Sequence, residues 1–194
     1  MKMTPTSLRE ALETLGAILD DRGHTYEIVV IGGGALLLVG LIDRPTKDLD
    51  VVALAGDGPW TRAAPLPEPL VRAVKDVAIA LELEPDWLNP GPTDLLDLGL
   101  PIGFAERTTM GRFGALTVLY AAREDQIAFK LYAAADHWPD EGKHLQDLRA
   151  LTPTPGELRA AARWCMSHDP SPGFRDMLLQ PVLAVLGVPE VPDA

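Results

Sequence analysis

A buried strand that runs directly into three consecutive glycines is the feature that most constrains the fold of this chain. The segment Tyr26–Ile31 reads YEIVVI, and its apolar, mostly β-branched residues predict a strand inside a sheet. Gly32-Gly33-Gly34 follow at once, and the apolar run Ala35–Val39 predicts a short helix after them. Glycines permit close approach to the backbone, and N–H groups at a helix start attract phosphate. The sequence therefore predicts a strand–turn–helix unit, which either faces a phosphate ligand or is only a tight turn between the two elements.

A pair of carboxylates opens the next predicted strand, Asp48–Leu54, which reads DLDVVAL. Residues two apart on a strand point to the same face, so Asp48 and Asp50 are expected to lie side by side. Two carboxylates at the edge of an apolar core call for a positive group between them. Hard oxygen ligands favour Mg²⁺ or Mn²⁺, so these two residues are the candidate metal ligands.

The pattern along the chain predicts an α+β protein, with a small mixed sheet, flanking helices and a helical C-terminal part. Apolar residues at helical spacing predict helices from Ser7 to about Gly23 and over Pro69–Leu83, and Leu116–Ala121 predicts a third strand. Four further helices are expected at 124–136, 141–150, 155–168 and 173–186. We expect a core over residues 1–122 and a helical part over 123–194 that completes the cleft, as a single compact unit.

Composition and charge exclude several classes of protein. A formal charge of −11 over 194 residues opposes non-specific attraction of nucleic acid. Cys165 is the single cysteine, which excludes a disulfide framework and a cysteine-rich zinc site. The N-terminal residues lack the apolar core of a signal peptide, and the apolar runs are too short to span a bilayer. A cytoplasmic protein without membrane partners is expected.

The glycines also invite comparison with the dinucleotide-binding fingerprint. Gly32-Gly33-Gly34 supplies its first two glycines, but Leu37 stands where the third belongs. The helix that follows is also too short for a crossover, so this interpretation is disfavoured.

The order of these motifs resembles the polymerase-β-like nucleotidyltransferase superfamily. The resemblance lies in a strand, a GG turn, a short helix and then Arg44-x-Thr46-x-Asp48-x-Asp50 at the start of a strand. In particular, the chain resembles minimal bacterial nucleotidyltransferases of the AbiEii toxin type and the DUF6036 proteins. Residues 86–89, 100–104, Arg107 and 125–148 extend the resemblance over most of the chain.

The resemblance implies roles for individual residues. Asp48 and Asp50 would hold the metal, and the catalytic set would add Lys130, which meets phosphate charge, and Asp147. The nucleotide-binding residues that it implies lie on the turn, on the loop before the acids and on a later helix: Gly32, Gly33, Gly34, Arg44, Thr46 and Lys130.

The function implied is transfer of NMP from an NTP to a hydroxyl acceptor, which is a tRNA 3′ end, a protein or a small molecule. The toxin resemblance implies a toxin of a toxin–antitoxin pair, with an antitoxin protein as partner. Three departures motivate an alternative, a catalytically silent binding module. Gly34 replaces a serine or threonine, His144 replaces an acid, and the third predicted strand carries no carboxylate.

Overall fold

The computed structural model describes residues 2–188, 190 and 191. Its backbone divides into two compact units. The first unit contains the residues up to 100 together with 105–121, and the second contains 101–104 and the chain from 122 onward. A short helix, Phe104–Arg107, crosses the boundary between them. Among the described residues, no helix has both the length and the apolar character that crossing a bilayer requires.

The first unit is built on a mixed sheet. Its elements in chain order are α1 (Pro5–Asp21), β1 (Tyr26–Ile31), α2 (Gly32–Leu38), β2 (Leu49–Ala55), β3 (Thr61–Arg62), α3 (Glu68–Ala80), β4 (Leu88–Asn89), a 3₁₀ turn (Gly91–Thr93), α4 (Asp94–Leu98), then, after the boundary helix α5 (Phe104–Arg107), β5 (Thr109–Phe113) and β6 (Leu116–Tyr120). Over the described residues the six strands run in the order β3-β2-β1-β6-β5, with β4 paired to β2. The β1–β6 and β2–β4 pairs are parallel, and the others are antiparallel.

The core of this unit lies between one face of the sheet and the helices α1 and α3. The leucines of α1 join alternate strand residues in one buried cluster, including Ile28 and Val30 of β1 and Leu49 and Val51 of β2. Full burial of such a side chain contributes about 1.5–3 kcal/mol. The alternation places Asp50 on the opposite face of β2 from this cluster.

Local chemistry moves several predicted boundaries. Helix α1 begins at Pro5 because Thr4 is its N-cap, and Ser7 is the third helical residue of a capping box with Thr4. Helix α2 includes the three glycines and so begins at Gly32 rather than Ala35. Strands β3 and β5 fall in stretches for which the sequence predicts no strand.

The second unit consists of helices. They are α6 (Arg123–Asp136), α7 (Lys143–Leu151), α8 (Pro155–His168), a π-helical segment (Phe174–Leu179) and α9 (Gln180–Val185). Thr154 and Glu157 form the capping box of α8. Arg123 of α6 pairs with that same Glu157. The predicted α+β class, with a small mixed sheet and a helical C-terminal part, is confirmed.

Candidate active site

Of the two predicted metal ligands, Asp48 directly precedes β2 and Asp50 is its second residue, so the strand begins one residue later than predicted. Leu49, between them, is fully buried, whereas Asp48 and Asp50 are only partly exposed. Asp50 is the register partner of Ile31, the last residue of β1, and therefore lies next to the glycine turn. The alternation that the sequence predicts for these three residues is present in the structure.

The glycines lie directly against the segment that carries the acids. Gly32 has a φ of +77°, and a Cβ at this position would lie 2.5 Å from the Asp50 Oδ2 atom. A Cβ on Gly33 would lie 2.9 Å from Arg44 Nη2. Gly32 therefore meets two requirements for glycine, a left-handed backbone and the contact with a carboxylate.

Gly34 has a different neighbour, the β2 backbone. A Cβ here would lie 2.7 Å from the Asp48 carbonyl oxygen and 2.9 Å from Leu49 Cδ1. Gly34 is also buried. The space that a serine or threonine would need is therefore filled by β2, which gives this departure from the family pattern a packing reason.

Thr46 fixes the loop that leads to the acids. Its side chain is buried, and its Oγ1 donates to the Asp48 carbonyl oxygen at 3.1 Å, with a longer contact of 3.4 Å to Asp48 Oδ1. Its backbone forms a bridge with Met3, in which the Met3 N–H donates at 2.6 Å and the Thr46 N–H returns a bond at 3.1 Å. Met3 is fully buried. Sequence reasoning missed Met3, because a bridge of one residue leaves no periodic signal.

Asn89 of β4 is a second residue that sequence reasoning left without a role. It is the register partner of Asp50, and its Nδ2 donates to Asp50 Oδ1 at 3.3 Å. The segment Asp86–Asn89 belongs to the predicted resemblance, but no periodicity distinguishes Asn89 within it. Each of the two acids therefore has a neutral hydrogen-bond donor, Thr46 for Asp48 and Asn89 for Asp50.

A cavity of about 490 Å³ opens beside Asp48. Both signs of charge line it: Lys2, Lys47, Asp48, Glu84 and Asp86. A larger cavity, of about 560 Å³, lies between the end of α1 and α3 and contains none of the predicted site residues. Of the predicted site residues, only Asp48 lines the cavity of about 490 Å³.

Asp48 and Asp50 are the residues that would hold the predicted Mg²⁺ or Mn²⁺. Within residues 2–188, 190 and 191, no group of three or more His, Cys, Asp or Glu side chains gathers as a metal site. Mg²⁺ commonly takes only one or two protein carboxylates and completes its shell with water and substrate phosphates. Two carboxylates, Asp48 and Asp50, separated by one buried residue, are the number of protein ligands that this mode of binding uses.

The other two predicted catalytic residues meet in the second unit. Lys130 of α6 donates to Asp147 Oδ2 of α7 at 2.7 Å. The two side chains are only 5% and 1% exposed. The Lys130 ammonium is therefore part of a buried ion pair.

His144 precedes this pair on α7, at the position where the family pattern has an acid. Burial lowers the pKa of His144 from the ordinary 6.5 to about 4, and the nearby charge of Lys130 lowers it further, with smaller contributions from Lys143 and His137. Asp147 opposes this effect. The imidazole is therefore neutral at pH 7. An acid at this position would have carried a negative charge.

Thus the structure brings the predicted residues together in two groups. Those of the turn, the loop and β2 meet in the first unit: Gly32, Gly33, Gly34, Arg44, Thr46, Asp48 and Asp50. Lys130 and Asp147 form the other group.

The glycine turn and the DxD segment lie in the part of the chain that resembles nucleotidyltransferases. Residues 6–59 match the model of a family described as a nucleotidyltransferase of unknown function, DUF6036. The match includes the three glycines and both acids and ends before α3. The predicted nucleotidyltransferase-like family is thereby confirmed. Searches of curated proteins and of solved structures gave no match.

Proposed function

We propose that this protein is a metal-dependent nucleotidyltransferase that moves NMP from an NTP to a hydroxyl acceptor. One observation carries the proposal. Asp48 and Asp50 stand at the start of one strand, each bound by a neutral donor, and Asp50 lies against the glycine turn. Carboxylates that are oriented by hydrogen bonds beside a glycine turn can bind the divalent cation of a metal–NTP complex.

The reaction balances without further reagents. The acceptor oxygen forms a bond to the α-phosphorus, and the bond from that phosphorus to the bridging oxygen breaks. Pyrophosphate leaves with the electron pair, and the hydroxyl proton passes to water. Mg²⁺ or Mn²⁺, when bound, supplies charge neutralisation at the phosphates.

The side chains of the first unit have distinct tasks in this proposal. Asp48 and Asp50 hold the cation, and Thr46 keeps Asp48 in place. Gly32 and Gly33 leave room for the triphosphate, and Gly34 allows the turn to pack on β2. Arg44, whose guanidinium lies against Gly33, adds positive charge near the turn.

Lys130 keeps the phosphate-binding role that the resemblance implies, with Asp147 as its positioning partner. An ammonium that a carboxylate already holds loses less side-chain entropy when it binds a further anion. This role remains compatible with the 2.7 Å pair, because an ammonium has three N–H donors.

The proposed acceptor is a tRNA 3′ end or a protein hydroxyl. The charge of −11 opposes a large polyanion, so RNA binding would have to be local and sensitive to salt. The family resemblance supports tRNA and a toxin role, in which an antitoxin protein would neutralise the enzyme.

The decisive experiment compares transfer of label from each NTP, with Mg²⁺, into total tRNA and lysate protein. Asp48→Asn should abolish transfer, because the side chain keeps its shape and loses its charge. Asp57→Asn, an exposed acid just after β2, is the matched control and should behave as wild type. Equal transfer by wild type and Asp48→Asn would refute the metal role of Asp48.

A catalytically silent binding module is the second candidate. The observation that favours it is Asn89, which places an amide, and not a third carboxylate, beside Asp50 on the neighbouring strand. Wild-type protein that gains thermal stability from NTP with Mg²⁺, loses that gain in Asp48→Asn and transfers no label would support this alternative.

A further inference from the structure

The strand pairing places one side chain in register with Asp50. β4 runs parallel to β2, with Leu88 opposite Leu49 and Asn89 opposite Asp50. Leu88 and Leu49 are both buried in the core cluster, so the alternation directs Asn89 to the same face as Asp50. Asn89 is therefore a neighbour of the candidate metal site on a separate strand.

A second hydrogen bond fixes the orientation of the Asn89 amide. The Gly91 N–H donates to Asn89 Oδ1 at 2.9 Å, so the oxygen side of the amide is engaged in the turn after β4. The nitrogen side then faces Asp50 Oδ1 at 3.3 Å. A flipped amide would oppose two donors at Gly91 and two acceptors at Asp50, so both contacts select the same orientation.

We propose that Asn89 is a positioning residue that orients Asp50 without placing a further carboxylate beside it. This inference rests on the proposed function, because it concerns the same site. An amide nitrogen cannot bind a cation, and its hydrogen bond restrains one Asp50 oxygen while adding no charge. An aspartate at this position would instead present a third anionic oxygen beside Asp50.

Two variants of Asn89 separate positioning from a purely structural role. Asn89→Asp keeps an oxygen acceptor for the Gly91 N–H but removes the donor to Asp50. Asn89→Ala removes both bonds. Gln146→Glu, an exposed amide on α7, is the matched control for one added negative charge.

The measurement is Mn²⁺ affinity by titration calorimetry, with urea unfolding in EDTA as the check on folding. Asn89→Ala is expected to weaken Mn²⁺ binding roughly 10–100-fold, as loss of an outer hydrogen bond to a metal ligand does. Asn89→Asp is expected to tighten it on the order of tenfold, because a third carboxylate joins the site. In EDTA, Asn89→Asp should be less stable than Gln146→Glu, because its new charge lies beside Asp50.

The outcomes distinguish this inference from the proposed function. If wild type binds Mn²⁺ and Asn89→Asp binds it no more tightly than Gln146→Glu does, the inference is refuted and the proposed function stands. An Mn²⁺ affinity of Asn89→Ala within twofold of the wild-type affinity would also refute the inference. If wild type binds no Mn²⁺ but Asn89→Asp does, the proposed function fails and the role of Asn89 is supported. If neither binds Mn²⁺, both fail.

Discussion

Removing one member of the Lys130–Asp147 pair is expected to destabilise the second unit far more than removing both. At 2.7 Å and an effective dielectric constant of about 20, the two charges attract by about 6 kcal/mol. Burial costs several kcal/mol for each ion, so the net contribution of the intact pair is small. A single substitution removes this attraction and leaves the other charge buried without its ion-pair partner from the neighbouring helix.

The expected magnitudes follow from this balance. Lys130→Met and Asp147→Leu should each cost about 3–5 kcal/mol. The double variant has two apolar side chains in the same space. Its free energy of unfolding should equal that of wild type or exceed it by up to about 1–4 kcal/mol. Since a domain has about 5–15 kcal/mol of stability in total, either single change is a large fraction of it.

The assay is a double-mutant cycle from urea unfolding of the full chain, followed by circular dichroism. Arg149 of α7 and Glu141, which precedes that helix, provide the control cycle. They pair at 2.8 Å, but each side chain is 49% exposed. Their coupling should stay below about 1 kcal/mol. A Lys130–Asp147 double variant that loses the sum of the two single losses would refute the reasoning.

Two further predictions concern positions where the sequence departs from the family pattern. Gly34→Ser should cost about 1–3 kcal/mol in urea unfolding, because its Cβ would lie 2.7 Å from the Asp48 carbonyl oxygen. Gly56→Ser, where a Cβ meets nothing within 4 Å, should stay within about 0.5 kcal/mol of wild type, and equal effects of the two would contradict the packing explanation. Because burial lowers the pKa of His144 to about 4, the unfolded chain takes up a proton more readily, and stability should fall as the pH drops from about 6.5 to 4. His144→Gln should show a shallower fall in unfolding titrations over that range, and an unchanged slope would contradict the shift.

The features that follow from a local period are the ones that sequence reasoning anticipated. Leu49 is buried between two partly exposed acids, as the two-residue spacing predicts. The glycine turn follows from a strand that ends in glycines. These signals are contained within a few residues, so one sequence is enough to read them.

The residues that it missed depend on contacts between distant segments. Met3 reaches Thr46 through one pair of backbone bonds, and Asn89 reaches Asp50 through the pairing of a two-residue strand. The pairing of Lys130 with Asp147 was not predicted, because the two residues are 17 positions apart on separate helices. None of these contacts leaves a repeat in the chain, so propensity and spacing alone do not reveal them.

The packing of the glycines also bears on how the first unit moves. Because Gly32, Gly33 and Gly34 touch Asp50, Arg44 and the β2 backbone, the turn and the acids form one contiguous contact surface. A fluctuation that lifts α2 from the sheet exposes the fully buried Leu36 as well, so it resembles partial unfolding rather than a loop motion. Amide hydrogens of the turn and of β2 should therefore exchange with solvent as one cooperative group. Larger motions of the first unit would then arise in segments other than the turn and β2.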